Sequence, residues 1–445
     1  MNAVSDMNDI IDSADCRQQM VEARAYTKSL LLNLEAEDFY RQVHPEFSPV
    51  GWHLGHIGVT ESFWILQQCQ DEAPLAPAYD TLFSPLDTPK QNRINLPSQR
   101  EILSYLDVVR DRVFAFLEQG GWEEAHPLLS EGRILNMLLQ HEEQHNETML
   151  LILNLLAAAR SDADVSGCPA QPSLSCAVRQ RTHSQRTSQT EMVRIPDGPF
   201  VMGSDHAAST LDNERPQQTV QVGEFLIDRT PVTNADFMQF IERGGYVNPA
   251  WWSQEGWCWC TENHVRHPLH WRSRGHTSDG GNGLPAGWGH WMEIDLARTG
   301  PLDPTLPVMC ISWYEADAYA RSVGKRLPTE AEWEKAATWD SNSHVEGAGR
   351  SDCLDMLGSV WEWTNTWFQP YPGFQAFPYA GYSVPYFDQQ HCVLKGGSWV
   401  TRRHVARTTF RNWYHPGMRA IFAGLRCAKD FMSPAPHAVS RRTLS

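Results

Sequence analysis

The chain has no apolar run approaching the ~20 residues that a membrane-spanning helix requires. It also has no excess of positive charge: 53 Asp and Glu outnumber 37 Lys and Arg over 445 residues, a formal charge of −16. The first absence argues against a membrane protein. The second argues against nucleic-acid or anionic-membrane partners, which need basic surface to neutralise phosphates. The polar N-terminus, with Asp6, Asp9, Asp12 and Asp15, shows no signal-peptide pattern, so a cytoplasmic location is expected. Ten cysteines form neither a CxxC pair nor a regular framework, and in reducing surroundings they read as free thiols, many of them buried. Cys258-Trp-Cys260 offers two soft ligands but no second pair to complete a metal site. No internal repeat is evident.

Tryptophan is abundant, with 18 residues, most of them beyond Glu191, so the two parts of the chain are expected to be different kinds of structure. Residues 1–160 read as four helices. The first spans 17–34; the second starts at Ser48 as N-cap, with Pro49 at the first helical position, and runs through Trp64 to about Cys69. The third opens on Ser98 and Glu101, spaced as a capping box, carries Ile102, Leu103, Leu106, Val109, Val113 and Leu117, and stops at Gly120-Gly121. The fourth, Arg133 to Arg160, holds no Gly or Pro. Such helices make a bundle, a fold whose facing helices often hold metals.

Residues 161–190 are polar and read as a linker. Residues 191–432 show short apolar and aromatic runs punctuated by Gly and Pro, a second domain, with 433–445 as a tail. Within it, Ser312/Glu315 and Thr329/Glu332 are capping boxes that start helices running to about Val323 and Ala337. The Gly-rich 274–289 and the Trp-dense 251–260 are expected as long irregular loops around a small sheet. The class is α+β, multidomain.

Chemistry concentrates at His141-Glu142-Glu143-Gln144-His145. Imidazoles at i and i+4 of a helix share a face, with β-carbons roughly 5–6 Å apart, which suits two ligands of one transition metal. A third ligand must come from elsewhere. His56 and His53 are the candidates, and their spacing of three on the second helix does not choose between them. The same five residues match the H-E-x-x-H of zinc proteases, with Glu142 as base. The bundle context, the lack of a His-x-x-Gly-x-x-His extension and the upstream histidines count against that reading.

Trp52-His-Leu-Gly-His56-Ile, together with His141-Glu-Glu-Gln-His145-Asn-Glu-Thr-Met-Leu150, resembles the DinB-like bundle of the ergothioneine-pathway sulfoxide synthases. The second part resembles the C-type-lectin-like formylglycine-generating-enzyme fold. The matching stretches are Gly198-Pro-Phe-Val-Met-Gly203, Pro231-Val-Thr-Asn234, Gly324-Lys-Arg-Leu-Pro-Thr-Glu-Ala-Glu-Trp333, Gly358-Ser-Val-Trp-Glu-Trp363, Gly396-Gly-Ser-Trp399 and Phe422-Ala-Gly-Leu-Arg426.

The resemblance implies a mononuclear non-haem Fe(II) held by His56, His141 and His145. It further implies that hercynine and a thiol both bind the iron and that dioxygen drives C–S bond formation and sulfoxide formation. By similarity, Gln144, Asn412 and Trp413 bind hercynine. A tyrosine donates a proton, with Tyr379 the closest match and Tyr382 the second. Lys90 and Arg93 stand where relatives clamp the thiol substrate's carboxylate.

In relatives that use γ-glutamylcysteine, an acid follows the Arg-Asn-Trp motif and two basic residues lie beyond it. Here Tyr414 replaces the acid and Met418 the first basic residue, leaving Arg419, so cysteine is the expected donor. Sister readings pair histidine with cysteine, as in the ovothiol pathway, or use a selenium donor, as in selenoneine synthesis. A non-catalytic lectin-like ligand-binding protein is the third. Cys427 has no partner cysteine nearby, so oxidation of a sulfatase cysteine is not expected.

Overall fold

The computed structural model describes residues 13–120, 126–163, 191–206, 208–273, 291–296, 299–339 and 352–431. Most of the expected linker, the Gly-rich 274–289 and the tail lie outside the described residues.

Among the described residues the first part has five α-helices: α1 (Ser13–Ser29), α2 (Val50–Glu61), α3 (Pro77–Leu82), α4 (Gln99–Leu117) and α5 (Arg133–Ala163). The four long ones pack together as expected, with the short α3 in the connection between α2 and α4. Helix α1 ends earlier than the apolar pattern suggests, because Leu30 and Leu31 are buried by turns, with Leu34 N–H bonded to the Leu31 carbonyl at 3.1 Å. Ser48 does not cap α2. Pro49 holds that position, and the Ser48 hydroxyl instead accepts from Arg93 Nη1 at 3.0 Å. Helix α2 continues as a π-helix over Ser62–Cys69, and the capping box of Ser98 and Glu101 starts α4 as read.

Leu54, Ile65, Ile102, Leu106, Val109, Val113, Met149 and Ile152 fill the bundle core. Through it passes a closed ring of charge with one member from each long helix. Arg24 of α1 meets Glu61 of α2 and Glu142 of α5, each at 2.8 Å, while Arg110 of α4 meets Glu61 at 2.7 Å and Glu142 at 2.8 Å. Two cations facing two carboxylates leave no net charge to desolvate, the condition under which such a cluster is tolerated in a core.

Among the described residues the second part holds four small sheets rather than one: β1 (Met192–Ile195), β4 (Phe225–Asp228) and β12 (Ala428–Asp430) in the order β1-β4-β12; β2 (Gly198–Met202) with β3 (Gln218–Val222); β5 (Trp271–Ser273), β6 (Trp291–Ile294) and β7 (Thr299–Pro301) in that order; and the four-stranded β10-β9-β8-β11. In the last, β8 (Trp361–Trp367) and β9 (Cys392–Lys395) are antiparallel, β10 (Asn412–Tyr414) pairs with β9, and β11 (Ala423–Gly424) lies parallel to β8. Two further helices, α6 (Asn234–Glu242) and α7 (Gln254–Glu262), precede the two expected ones, α8 (Trp313–Ser322) and α9 (Glu330–Thr338). The Trp-dense 251–260 is thus largely helical, not irregular, because the Ser253 hydroxyl caps α7 by accepting from Gly256 N–H at 3.0 Å. The four-stranded sheet is anchored by buried pairs, Arg411 with Glu330 at 2.6 Å and Arg426 with Glu362 at 3.0 Å.

Six of the eight described cysteines are buried. Cys258 is exposed while Cys260 is buried, so the two thiols do not share a ligand position. Among the described residues no helix is long and apolar enough to cross a membrane.

Candidate metal centre

Helix α5 faces three ways, and the site follows from that. Glu142 turns into the charge ring, where it also accepts from Thr27 Oγ1 at 2.7 Å. Burial pushes its carboxyl up, but Arg24 and Arg110 outweigh burial and hold it at about 2. It is a fixed anion in a salt-bridge ring and has no freedom to act as a protease base.

His141 and His145 turn toward α2. One ligand atom from each of His56, His141 and His145 lies within 4.8 Å of the others. Their Nε2 atoms converge, His141 to His56 at 3.1 Å and His145 to His141 at 3.1 Å. Nitrogens ~2.1 Å from a common metal would be ~3.0 Å apart at right angles and ~3.4 Å apart at a tetrahedral angle. The two 3.1 Å separations are those of nitrogens that share one metal ion, so the donor set fits a mononuclear centre. Burial lowers the pKa of all three rings, His56 to about 4 and the other two well below the usual range, so each is the neutral imidazole a metal needs.

His56 is oriented by its own surroundings. Its Nδ1 donates to the Phe83 carbonyl at 2.8 Å, leaving Nε2 for the centre, and Trp52 stacks on the ring at 4.8 Å and 11°. Gly55 makes this possible, since a β-carbon there would lie 2.2 Å from the Phe83 ring. His53 stands outside the triad. Its Nδ1 is 2.8 Å from Nδ1 of His145, behind that ring.

The third face of α5 carries Gln140, Glu143, Gln144 and Glu147, at helical spacing, and all four cross to the second domain. Gln140 meets Arg407 at 2.8 Å and Glu143 meets His404 at 2.7 Å. Gln144 accepts from the Tyr382 hydroxyl at 2.8 Å. Glu147 accepts from Trp361 Nε1 at 2.8 Å, Ser398 Oγ at 2.6 Å and Thr401 Oγ1 at 2.7 Å. Between the domains lies a cavity of about 90 Å³ whose lining includes Gln144, Glu147, Trp361, Phe410, Asn412 and Tyr414.

Among the residues expected at the site, Gln144, Asn412 and Tyr414 share this cavity. Trp413 stacks on Phe368 at 4.2 Å and meets the edge of Tyr382 at 5.7 Å. The two tyrosines lie in different surroundings. Tyr379, first choice by sequence, is 39% exposed and packs on Trp64 at 5.6 Å, whereas Tyr382 is the one whose hydroxyl reaches Gln144. Burial holds the Tyr382 pKa well above the usual range, so it keeps its proton.

The basic residues are all engaged with protein groups. Lys90 pairs with Glu46 at 2.7 Å near the surface. Arg93 donates to Thr88 O at 2.8 Å, Ser48 Oγ at 3.0 Å and Pro85 O at 2.9 Å, and lies over the Trp52 ring at 4.2 Å. Arg419 is held by Glu315 at 3.0 Å and by the His267 carbonyl, and Met418 is buried.

Glu147 is the residue that sequence reading missed. It is a carboxylate on the cavity wall whose pKa is raised by burial, although its three donors oppose the rise. Its place two residues after His145, on the Gln140/Glu143/Gln144 face, was the available signal.

Comparison with known proteins agrees with this arrangement. Residues 19–149 match the family described as DinB superfamily, and residues 178–351 and 348–431 match the Sulfatase-modifying factor enzyme 1-like domain. The formylglycine-generating enzyme of Streptomyces coelicolor is 29% identical over 59% of this chain and 96% of its own length. Two proteins named hercynine oxygenase align along both parts: that of Mycolicibacterium smegmatis, 33% identical over 90% of this chain and 95% of its own, and that of Mycobacterium tuberculosis, 35% identical over 92% and 97%. With both domain types in the same order and identity sustained across nearly the whole length, the chain belongs to the hercynine oxygenase family.

Proposed function

We propose that this chain is a non-haem iron(II), dioxygen-dependent sulfoxide synthase. It joins the sulfur of cysteine to the imidazole carbon of hercynine that lies between the two ring nitrogens, on the route to ergothioneine. The observation that carries the reading is the grouping of three imidazole nitrogens on the bundle side of α5, while a neighbouring face of the same helix lines an interdomain cavity with side-chain amides, aromatic rings and a buried carboxylate. His56, His141 and His145 would hold the metal. Iron there supplies dioxygen activation and open coordination positions for both substrates, chemistry that redox-inert zinc lacks.

The remaining residues bind and orient. Hercynine carries a quaternary ammonium that has no proton to donate, so its partners are a carboxylate and aromatic faces. Glu147 supplies the first, and Tyr414 and Trp413 the second, with cation–π contacts worth ~0.5–2 kcal/mol. Gln144 and Asn412 offer amides to the imidazole and carboxylate of the same substrate. Tyr382 holds a proton at a hydroxyl fixed by Gln144 and serves as general acid. Holding both substrates at one centre converts a three-body encounter into an intramolecular one.

Cysteine is the proposed donor over γ-glutamylcysteine. The γ-glutamyl group adds an ammonium and a carboxylate, and the expected basic partners are already satisfied by Glu46, by backbone carbonyls and Ser48, and by Glu315. The test is anaerobic iron loading followed by air, with hercynine or histidine against cysteine, γ-glutamylcysteine and a selenosugar, and products read by mass. A hercynine–cysteine sulfoxide adduct is the expected product. An adduct from histidine alone would move the chain to the ovothiol type, one from the selenosugar to selenoneine synthesis, and no adduct from any pair would defeat the enzymatic reading.

A further inference from the structure

With the metal facing Nε2 of His145, the proton of that ring sits on Nδ1, and the acceptor 2.8 Å away is Nδ1 of His53. His53 is buried, and accepting at Nδ1 puts its own proton on Nε2. The partner of a metal-bound histidine is often a carboxylate, which makes the ligand more basic and adds negative charge to the site. Here the two partners are uncharged: the Phe83 carbonyl for His56 and the His53 ring for His145.

The nearby carboxylates are committed elsewhere, Glu142 to Arg24 and Arg110, Glu143 to His404. Among the described residues none forms an ion pair with any of the three rings. The guanidinium of Arg93, over the Trp52 ring that stacks on His56, adds to the positive field.

We propose that His53 is a positioning residue whose uncharged ring holds His145 in its ligating tautomer while leaving the centre's positive charge undiminished, so that the centre takes up an anionic sulfur ligand. The proposal rests on the metal-centre reading above. It explains why a buried histidine stands where a carboxylate would bind the proton more strongly.

The test uses the full-length protein loaded anaerobically with Co(II), its absorption titrated first with the metal and then with azide as the anion. His53→Asn, which offers an uncharged acceptor near the same point, should match the wild type in both titrations. His53→Leu, which offers none, should lose ~10–100-fold in metal affinity. His53→Asp should hold the metal at least as tightly as wild type but bind azide roughly tenfold or more weakly, the effect of one added charge some 6–7 Å away.

Equal azide affinity in the Asp and Asn variants would overturn the electrostatic role, and wild-type metal affinity in His53→Leu would overturn the positioning role. Should the Asp variant fail to fold, the Asn and Leu pair still decides the positioning claim, and the wild type titrated with neutral imidazole against azide decides the preference for anions. If the wild type binds no divalent metal at the triad, the metal-centre reading itself fails, an outcome distinct from the others.

Discussion

At the scale of single residues, what separates His141 and His145 from ordinary core histidines is that their Nε2 atoms face other ring nitrogens and not hydrogen-bond donors. Without a metal, such lone pairs oppose one another. His56→Ala, His141→Ala and His145→Ala should therefore each abolish metal retention and turnover while leaving helical circular dichroism intact, because each removes a third of the protein's ligand set. Retention of stoichiometric iron by any one of them, measured by elemental analysis, would remove that residue from the set. The tyrosines give a second prediction. Tyr382→Phe keeps the ring against Trp413 but removes the hydroxyl at Gln144, so substrate binding should persist while C–S coupling falls by ~10²–10⁴-fold in favour of simple thiol oxidation. Tyr379→Phe, at an exposed ring, should behave as wild type; the reverse pattern in product ratios would restore Tyr379 as the acid.

At the scale of elements, helix α5 ties the charge ring, the triad and the interdomain seam into one rigid rod. Glu142→Gln should cost ~3–5 kcal/mol, since Arg24 and Arg110 would remain buried without full compensation. The sign with pH follows from the depressed carboxyl. Held at about 2 in the fold against an ordinary 4.5, Glu142 stabilises the protein fully above pH 4.5, and that contribution is lost as pH falls from 4.5 toward 2. Urea midpoints of wild type and Glu142→Gln should accordingly differ at pH 7 and converge on acidification; a gap independent of pH would refute the assignment. The capping boxes at Ser98, Ser312 and Thr329 were readable from sequence because both partners lie within three residues. Helix α7 was not, since its tryptophans and cysteines carry no clear apolar period and its cap, Ser253, lacks an acid three residues on.

At the scale of the whole molecule, the seam along α5 joins the domains through Arg407, His404, Tyr382, Ser398 and Thr401. These partners are buried or half-buried, so separating the domains would leave Glu143 and Glu147 without them. Calorimetry should show one unfolding transition for the full chain, and two resolved transitions would mean that the seam contributes little. Cysteine should exceed γ-glutamylcysteine in kcat/KM, and Tyr414→Asp with Met418→Arg should shift the ratio toward γ-glutamylcysteine by ~10–100-fold if one charge-assisted pair forms. A wild type that prefers γ-glutamylcysteine would refute the pocket argument while leaving the metal centre standing.

The sequence by itself determined that His141 and His145 share a helix face, that the bundle has four long helices, and that the second part is a different, Trp-rich fold, because these depend on spacing and composition along one segment. Tertiary structure, not spacing, groups His56 rather than His53 with His141 and His145 and brings the Tyr382 hydroxyl to Gln144. It also decided that Lys90, Arg93 and Arg419 are occupied and that Glu147 faces the cavity. Residues three apart on a helix or within one loop are equivalent by spacing, and what distinguishes them is which distant backbone or side chain packs against each. For His56 that is the Phe83 carbonyl, admitted by Gly55; for Tyr382 it is Gln144, across the domain seam.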